Sequence, residues 1–164
     1  MSPCLHEEAD TRILLHAMDA ARKSFSRILL RTVDTDVVVL AVSSCVYLDD
    51  TEIWVAFGVG NHLRYIPTHD ITNSLGQQKS QALPLFHAFT GCDTVSFFAG
   101  RGKKTAFDTW KSFEDTTPVF AALTTNPASP SEECMKVIEA FVVLMYDRTC
   151  TERDVNIVRK NICK

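Results

Sequence analysis

The carboxylates that could do chemistry fall into three groups, each beside an apolar segment. Glu7, Glu8 and Asp10 open the first segment with apolar periodicity. Asp34 and Asp36 follow the short apolar run Ile28-Leu29-Leu30, and Asp93 lies within Phe89-Thr90-Gly91-Cys92-Asp93-Thr94. In an open α/β sheet ligands collect at the carboxyl ends of strands, which is where Asp34 stands. A spacing of two lets both carboxylates of the Asp34/Asp36 pair converge once the strand breaks into a turn. Carboxylates sharing a pocket repel, by about 4 kcal/mol for a pair ~4 Å apart at an effective dielectric near 20. Only a cation relieves that at neutral pH, and an all-oxygen set favours magnesium or manganese over zinc. Each group also has a local alternative. Acids at a helix N-terminus complement the macrodipole, Asp34 or Asp36 is a natural N-cap for a segment beginning at Val37, and Asp93 suits an Asx-turn after Gly91.

A second constellation is basic. Gly100-Arg101-Gly102-Lys103-Lys104 combines two glycines, which permit a tight turn with N–H groups facing a phosphate, with Lys104 opening the following helix. Together with Lys111 these cations form a local patch of the kind that holds a nucleic-acid backbone without reading sequence. The alternative is an ordinary glycine turn with solvated lysines. Other chemistries fit less well. Cys92 and His87 are five residues apart with no orienting motif for a nucleophile and base. The five histidines, His6, His16, His62, His69 and His87, form neither an H-x-x-x-H pair nor a Cys/His finger. Phe97 and Phe98 are expected as core or interface contacts.

The elements that must position these residues read as follows. Glu7 to about Lys23 is an amphipathic helix, with Ala9, Ile13, Leu14, Ala17, Ala20 and Ala21 at helical spacing. Ile28–Leu30 is a buried strand. Val37–Val42 is a second strand by its β-branched content, or a helix by the aspartate at its start. Ile53–Val59 and Leu63–Ile66 are strands joined by a turn at Gly60-Asn61. Asp70–Leu75 is a short helix stopped by Gly76, and Gln81–Thr90 another, in which Pro84 is tolerable only in the first turn. Lys104–Phe113 is a third, Thr116–Pro130 a connection, and Ser129-Pro130-Ser131-Glu132 a capping box with proline at the first helical position. The helix it opens carries Val137, Ile138, Phe141, Val142, Leu144 and Met145. Strands alternating with helices, then helices alone, predict an α/β domain with a helical annex.

Composition sets the outer bounds. At 164 residues, 46% hydrophobic and 23% charged, the sequence has a globular balance. No apolar run approaches the ~20 residues that span a bilayer, so no membrane partner is expected. Six cysteines without a C-x-x-C pair and no secretory signal suggest reduced thiols in a nuclear or cytoplasmic protein. A net charge of −3 excludes a protein that coats nucleic acid through bulk positive charge, but not one with a local basic patch.

The order and text of the motifs carry a resemblance. Glu8-Ala9-Asp10, then Asp34-Thr35-Asp36, then Gly91-Cys92-Asp93 resembles the internal region of the flap-endonuclease/XPG family of structure-specific nucleases. The stretch from Gly91 to Ala106, with its Gly100-x-Gly102-x-Lys104 turn, is similar to that family's passage from a metal-binding aspartate into a helix-two-turn-helix. The resemblance covers about Leu5 to Lys111. It implies a PIN-like parallel-sheet core over residues 5–115 and leaves 116–164 as a helical C-terminal extension of unassigned role. It further implies a hydrolase whose residues Glu8, Asp10, Asp34, Asp36 and Asp93 hold two Mg2+ (or Mn2+) ions, with Asp34, Asp36 and Asp10 central to catalysis. Gly100, Arg101, Gly102, Lys103 and Lys104 would bind DNA, most naturally at a flap or branch. With those five carboxylates assigned to metal, the net charge of −3 becomes +2 for the remainder. The family's first strand has no counterpart here, so the expectation is a fragment or a shortened descendant. The alternative function is a noncatalytic interaction or scaffold domain that has lost turnover.

Overall fold

The computed structural model describes residues 9–48, 50–92, 97–128 and 130–162. It is a mixed α/β chain, mostly helical, with one three-stranded sheet. It divides into two compact units, residues 1–84 and 85–164.

The first unit holds the sheet. Helix α1 (Ala9–Arg22) buries Leu14 and Ala17, and strand β1 (Arg27–Thr32) follows. The segment that sequence left between strand and helix is helix α2 (Thr35–Cys45), which leads to β2 (Glu52–Phe57). Four valines in α2 run against helix propensity, but Val37, Ala41, Val42 and Cys45 fall on one helical face and are buried. Burial of that face outweighs the few tenths of a kcal/mol that each β-branched residue costs. β1 and β2 are parallel, with Leu30 opposite Val55. A 3-10 turn at Gly60–His62 leads into β3 (Arg64–Pro67), which returns antiparallel to β2 with Ile66 opposite Val55. The sheet is therefore mixed rather than parallel throughout. The connection from β2 to β3 is too short for the crossover that parallel strands need. Gly58 makes that connection possible: its φ is +97°, and a Cβ there would lie 2.6 Å from the His62 carbonyl oxygen.

The core lies on one face of this sheet, where Leu14, Ala17, Leu30, Ala41, Cys45, Ile53 and Val55 pack together. Helix α3 (Thr68–Leu75), ended by Gly76 at φ +80°, is tied to it by a buried polar seam. The Thr68 hydroxyl donates to the Ile53 carbonyl (2.9 Å), and the Thr72 hydroxyl donates to that of Val42 (2.7 Å). The His69 Nδ1 also lies 3.0 Å from the Ile53 carbonyl, which can only accept, so Nδ1 carries the proton.

Helix α4 (Gln77–Phe89) starts four residues before the sequence expectation, which puts Pro84 in its interior instead of its first turn. Proline there removes one helical hydrogen bond, and the division between the two units falls directly after it. The second unit continues with α5 (Lys103–Ser112), α6 (Thr116–Thr125), α7 (Glu132–Tyr146) and α8 (Val155–Ile162). Its core is aromatic. Trp110 stacks on Phe86 at 4.6 Å between centroids, and Phe120 and Phe141 meet edge to face at 5.6 Å. The buried Trp110 indole N–H donates to the Thr117 hydroxyl at 3.0 Å.

Three expectations are corrected here. Residues 116–125 are a helix, not part of a connection. Phe120 supplies its buried anchor, and Pro118 sits in the first turn, where its missing N–H has no helical acceptor in any case. The N-cap of α7 is Ser131, whose hydroxyl accepts from the Cys134 N–H at 3.2 Å. Pro130 therefore precedes the cap rather than occupying the first helical position. Helix α8, opened by Asp154 accepting from the Asn156 N–H at 2.7 Å, had no counterpart in the sequence expectation. Cys45, Cys92, Cys134 and Cys150 carry free thiols, and among the described residues no helix is long and apolar enough to cross a membrane.

Candidate functional site

In the first unit the chain leaves the carboxyl end of β1 and enters α2 within two residues. Asp34 sits at the junction in extended backbone (φ −94°, ψ 129°) as the N-cap of α2. Its Oδ1 accepts from the Asp36 N–H at 2.8 Å, and its own N–H donates to the Thr32 hydroxyl at 3.0 Å. Asp36 lies in the first turn of α2 and Asp10 in the first turn of α1, all three aspartates being half-buried. Fourteen helical residues of α1 span ~21 Å and six strand residues of β1 ~20 Å. A connection of four residues, 23–26, makes α1 and β1 neighbours of equal length. The Asp34/Asp36 pair also stands at a helix N-terminus, where negative charge is favoured.

The N-cap is thus the alternative that sequence already offered for Asp34, and one of its two carboxylate oxygens performs it. The remaining oxygen of Asp34 and the carboxylates of Asp36 and Asp10 are hard donors of the type magnesium takes. Among the described residues, however, no three His, Cys, Asp or Glu side chains come together as a metal-holding group. Glu7, Glu8 and Asp93 lie outside the described residues, so Asp10, Asp34 and Asp36 by themselves do not complete a centre.

In the second unit the glycine turn forms as expected. Gly100 adopts φ +67°, and Gly102 is the N-cap of α5 without a side-chain capping bond. Two of its three cations hold the fold. Arg101 donates from Nη2 to the Tyr146 carbonyl at 2.9 Å, at the end of α7, and its guanidinium lies 5.3 Å from the centre of the Tyr146 ring. The Tyr146 hydroxyl in turn donates to the Ala99 carbonyl at 3.3 Å, closing the turn onto α7. Lys103 donates from Nζ to the His87 carbonyl (2.8 Å) and to the Thr90 hydroxyl (3.2 Å), capping the last turn of α4. Lys104 differs: its side chain is 93% exposed and, among the described residues, meets a long contact of 3.4 Å to Asp108. Phe98 packs its ring 5.3 Å from that of Phe89, whereas Phe97 is exposed.

Sequence reasoning did not single out a polar cleft of about 390 Å3 lined by Cys45, Leu48, Asp50, Glu52, His69 and Asn73. Burial pushes the Cys45 thiol above its ordinary range, which makes it a neutral wall rather than a nucleophile. No motif connects these residues in the sequence; β2 and α3 bring them together only in the fold. Compared with models of known families, with curated proteins and with solved structures, the chain gives no match.

Proposed function

We propose that this chain is a metal-dependent nuclease domain of flap-endonuclease/XPG type, built on a PIN-like core and hydrolysing phosphodiesters of flap or branched DNA. The observation that carries it is Asp34-Thr35-Asp36 at the carboxyl end of the parallel strand β1, opening a helix. There, strand end and helix N-terminus support a pair of carboxylates in one place. The order of Glu8/Asp10, Asp34/Asp36, Asp93 and the Gly100–Lys104 turn adds to that support. Mg2+ or Mn2+, when bound, would neutralise the phosphate and acidify a water. For this chain's own part, Asp34 and Asp36 present oxygen donors, and Lys104 offers an exposed cation, held by a long contact to Asp108, to a phosphate backbone.

The test is cleavage of 5′-flap and hairpin DNA by the chain in Mg2+, alongside Asp34→Asn and Asp36→Asn. Asparagine caps helices as well as aspartate does, so Asp34→Asn removes charge while keeping α2. Loss of cleavage is expected, with α2 kept and stability lowered by no more than the helix N-terminal charge is worth. Cleavage that survives both substitutions refutes the assignment. DNA binding without cleavage in the unsubstituted chain would instead favour the noncatalytic scaffold.

A further inference from the structure

Strand β1 is one of the two outer strands of its sheet. The Ser26 carbonyl accepts from the Glu52 N–H at 2.9 Å and the Thr32 carbonyl from the Gly58 N–H at 3.0 Å. Main-chain groups of alternate residues in a strand point to the same side, so the even-numbered residues 26–32 face β2. The N–H and C=O groups of Arg27, Leu29 and Arg31 therefore point away from the sheet, along an edge that no other described strand pairs with.

The side chains of those same three residues stand on the face opposite the core, which takes Ile28 and Leu30 instead. Cross-strand register arranges that face in rows: Arg27 beside Glu52, Leu29 beside Trp54 and Pro67, and Arg31 beside Ala56 and Tyr65. Leu29 is 58% exposed and Tyr65 59%, and Arg27, Leu29, Trp54 and Tyr65 line a recess of about 320 Å3. Exposed Phe25 and Val33 continue the two-residue spacing at either end. Arg27 holds Glu52 at 2.8 Å, while Arg31 has no carboxylate within ion-pair reach among the described residues. An outer strand with an uncovered apolar face ordinarily invites pairing, and charges along it select the partner.

We propose that this edge takes an extended segment of a partner protein as a fourth strand, with acidic residues opposite Arg27 and Arg31 and an apolar residue opposite Leu29. The recognition unit is acid-x-apolar-x-acid, extended by apolar residues where Phe25 and Val33 lie. Main-chain bonds to Arg27, Leu29 and Arg31 give affinity, and the alternate side chains give specificity. A second copy of the chain fits less well. Antiparallel self-pairing centred on Leu29 sets each Arg27 against an Arg31, and like charges directly opposite are destabilising.

The probes are the peptide Val-Thr-Glu-Thr-Val-Thr-Glu-Thr-Val and its counterpart with both glutamates replaced by lysine, added to the full chain. Amide hydrogen exchange is read residue by residue along β1. In the free protein, Ile28 and Leu30 are expected to be protected and Leu29 and Arg31 to exchange quickly. The glutamate peptide is expected to slow Leu29 and Arg31 by tenfold or more, and the lysine peptide to leave them unchanged. Arg31→Glu, an exposed position outside the candidate carboxylate set and the basic turn, should weaken the glutamate peptide roughly tenfold and admit the lysine one. Equal protection by both peptides, or by neither, overturns the proposal. So does protection of Leu29 and Arg31 that rises with protein concentration alone, which would identify a second copy as the occupant.

Discussion

Replacing Asp34 separates its structural duty from its chemical one. The Asp34 carboxylate accepts from the Asp36 N–H at 2.8 Å and places a negative charge at the N-terminus of α2. Alanine removes both effects, at about 1 kcal/mol for the cap and ~0.3–1 kcal/mol for the charge, so Asp34→Ala should cost about 1.5 kcal/mol. Asparagine keeps the cap and should cost only the charge term. Urea unfolding reads this. At an m-value of ~2 kcal/mol/M, Asp34→Ala shifts the midpoint by roughly 0.7 M, against roughly 0.2–0.5 M for Asp34→Asn. Each unit contains one tryptophan, Trp54 in the first and Trp110 in the second. Trp54 lies in the unit that holds α2, so its fluorescence is the signal to follow. The metal arm uses the same curves. A divalent ion held by Asp34 stabilises the native chain by about 2.7 kcal/mol at a hundred times its dissociation constant. Asp34→Asn must abolish that gain without unfolding α2. An alanine variant as stable as the asparagine one refutes the cap, and an undiminished Mn2+ effect in Asp34→Asn refutes the metal role.

Further outcomes follow from other residues. Lys103→Ala should destabilise the second unit by ~0.3–1 kcal/mol through loss of the α4 cap. Lys104→Ala should leave stability unchanged but lower DNA binding and reduce its salt slope by about 1, read by fluorescence anisotropy across a salt series. Gly58→Ala should cost about 2 kcal/mol or more in a urea titration, since its φ is +97° and its Cβ would strike the His62 carbonyl, whereas Gly60→Asn, with open space around it, should be nearly neutral. The Arg27 guanidinium, and then the Trp54 indole, hold the Glu52 carboxyl below the usual glutamate range. In the unfolded chain Glu52 binds its proton at higher pH. The pair's stabilisation is therefore complete above the ordinary value near 4.3 and is lost as pH falls through the lowered one. Arg27→Met should flatten that acid limb in melts taken between pH 6 and 3, and an unchanged limb would contradict it.

Much of the fold was legible because local signals and burial agree there. Leu14 and Ala17 mark the buried stripe of α1, Gly76 stops α3, and three strands lie within two residues of their expected limits. Where they disagree, sequence was ambiguous or wrong. Val37–Val42 has strand composition, yet the cap at Asp34 and the burial of Val37, Ala41 and Val42 make it helical. Residues 116–125 look like a linker because Thr116, Thr117 and Pro118 are poor helix formers. What holds them is Phe120 against Trp110 and Phe141, a contact between positions far apart in the chain. Pro84 pointed to a helix beginning near residue 81, but α4 starts directly after Gly76 and carries the proline in its interior.

The site was legible in a different sense. Its candidate residues stand out by type and spacing, but the fold accounts for several of them without any ligand. Asp34 caps α2, Lys103 caps α4, and Arg101 fastens the glycine turn to the end of α7. Helix ends need acceptors at one terminus and donors at the other, so acids after strands and bases after glycine turns recur for folding reasons alone. A residue already occupied in this way counts for less as a mark of catalysis or DNA binding. Lys104 is not so occupied: it is exposed, and its ion pair to Asp108 is long. Asp34 also has a second oxygen beyond the one that caps α2. The nuclease assignment therefore rests on the substitutions that leave the helix ends intact, Asp34→Asn and Lys104→Ala. If both keep the helix ends and lose cleavage and binding respectively, the motif has a function beyond the fold. If neither changes anything, capping is the whole meaning of the pattern.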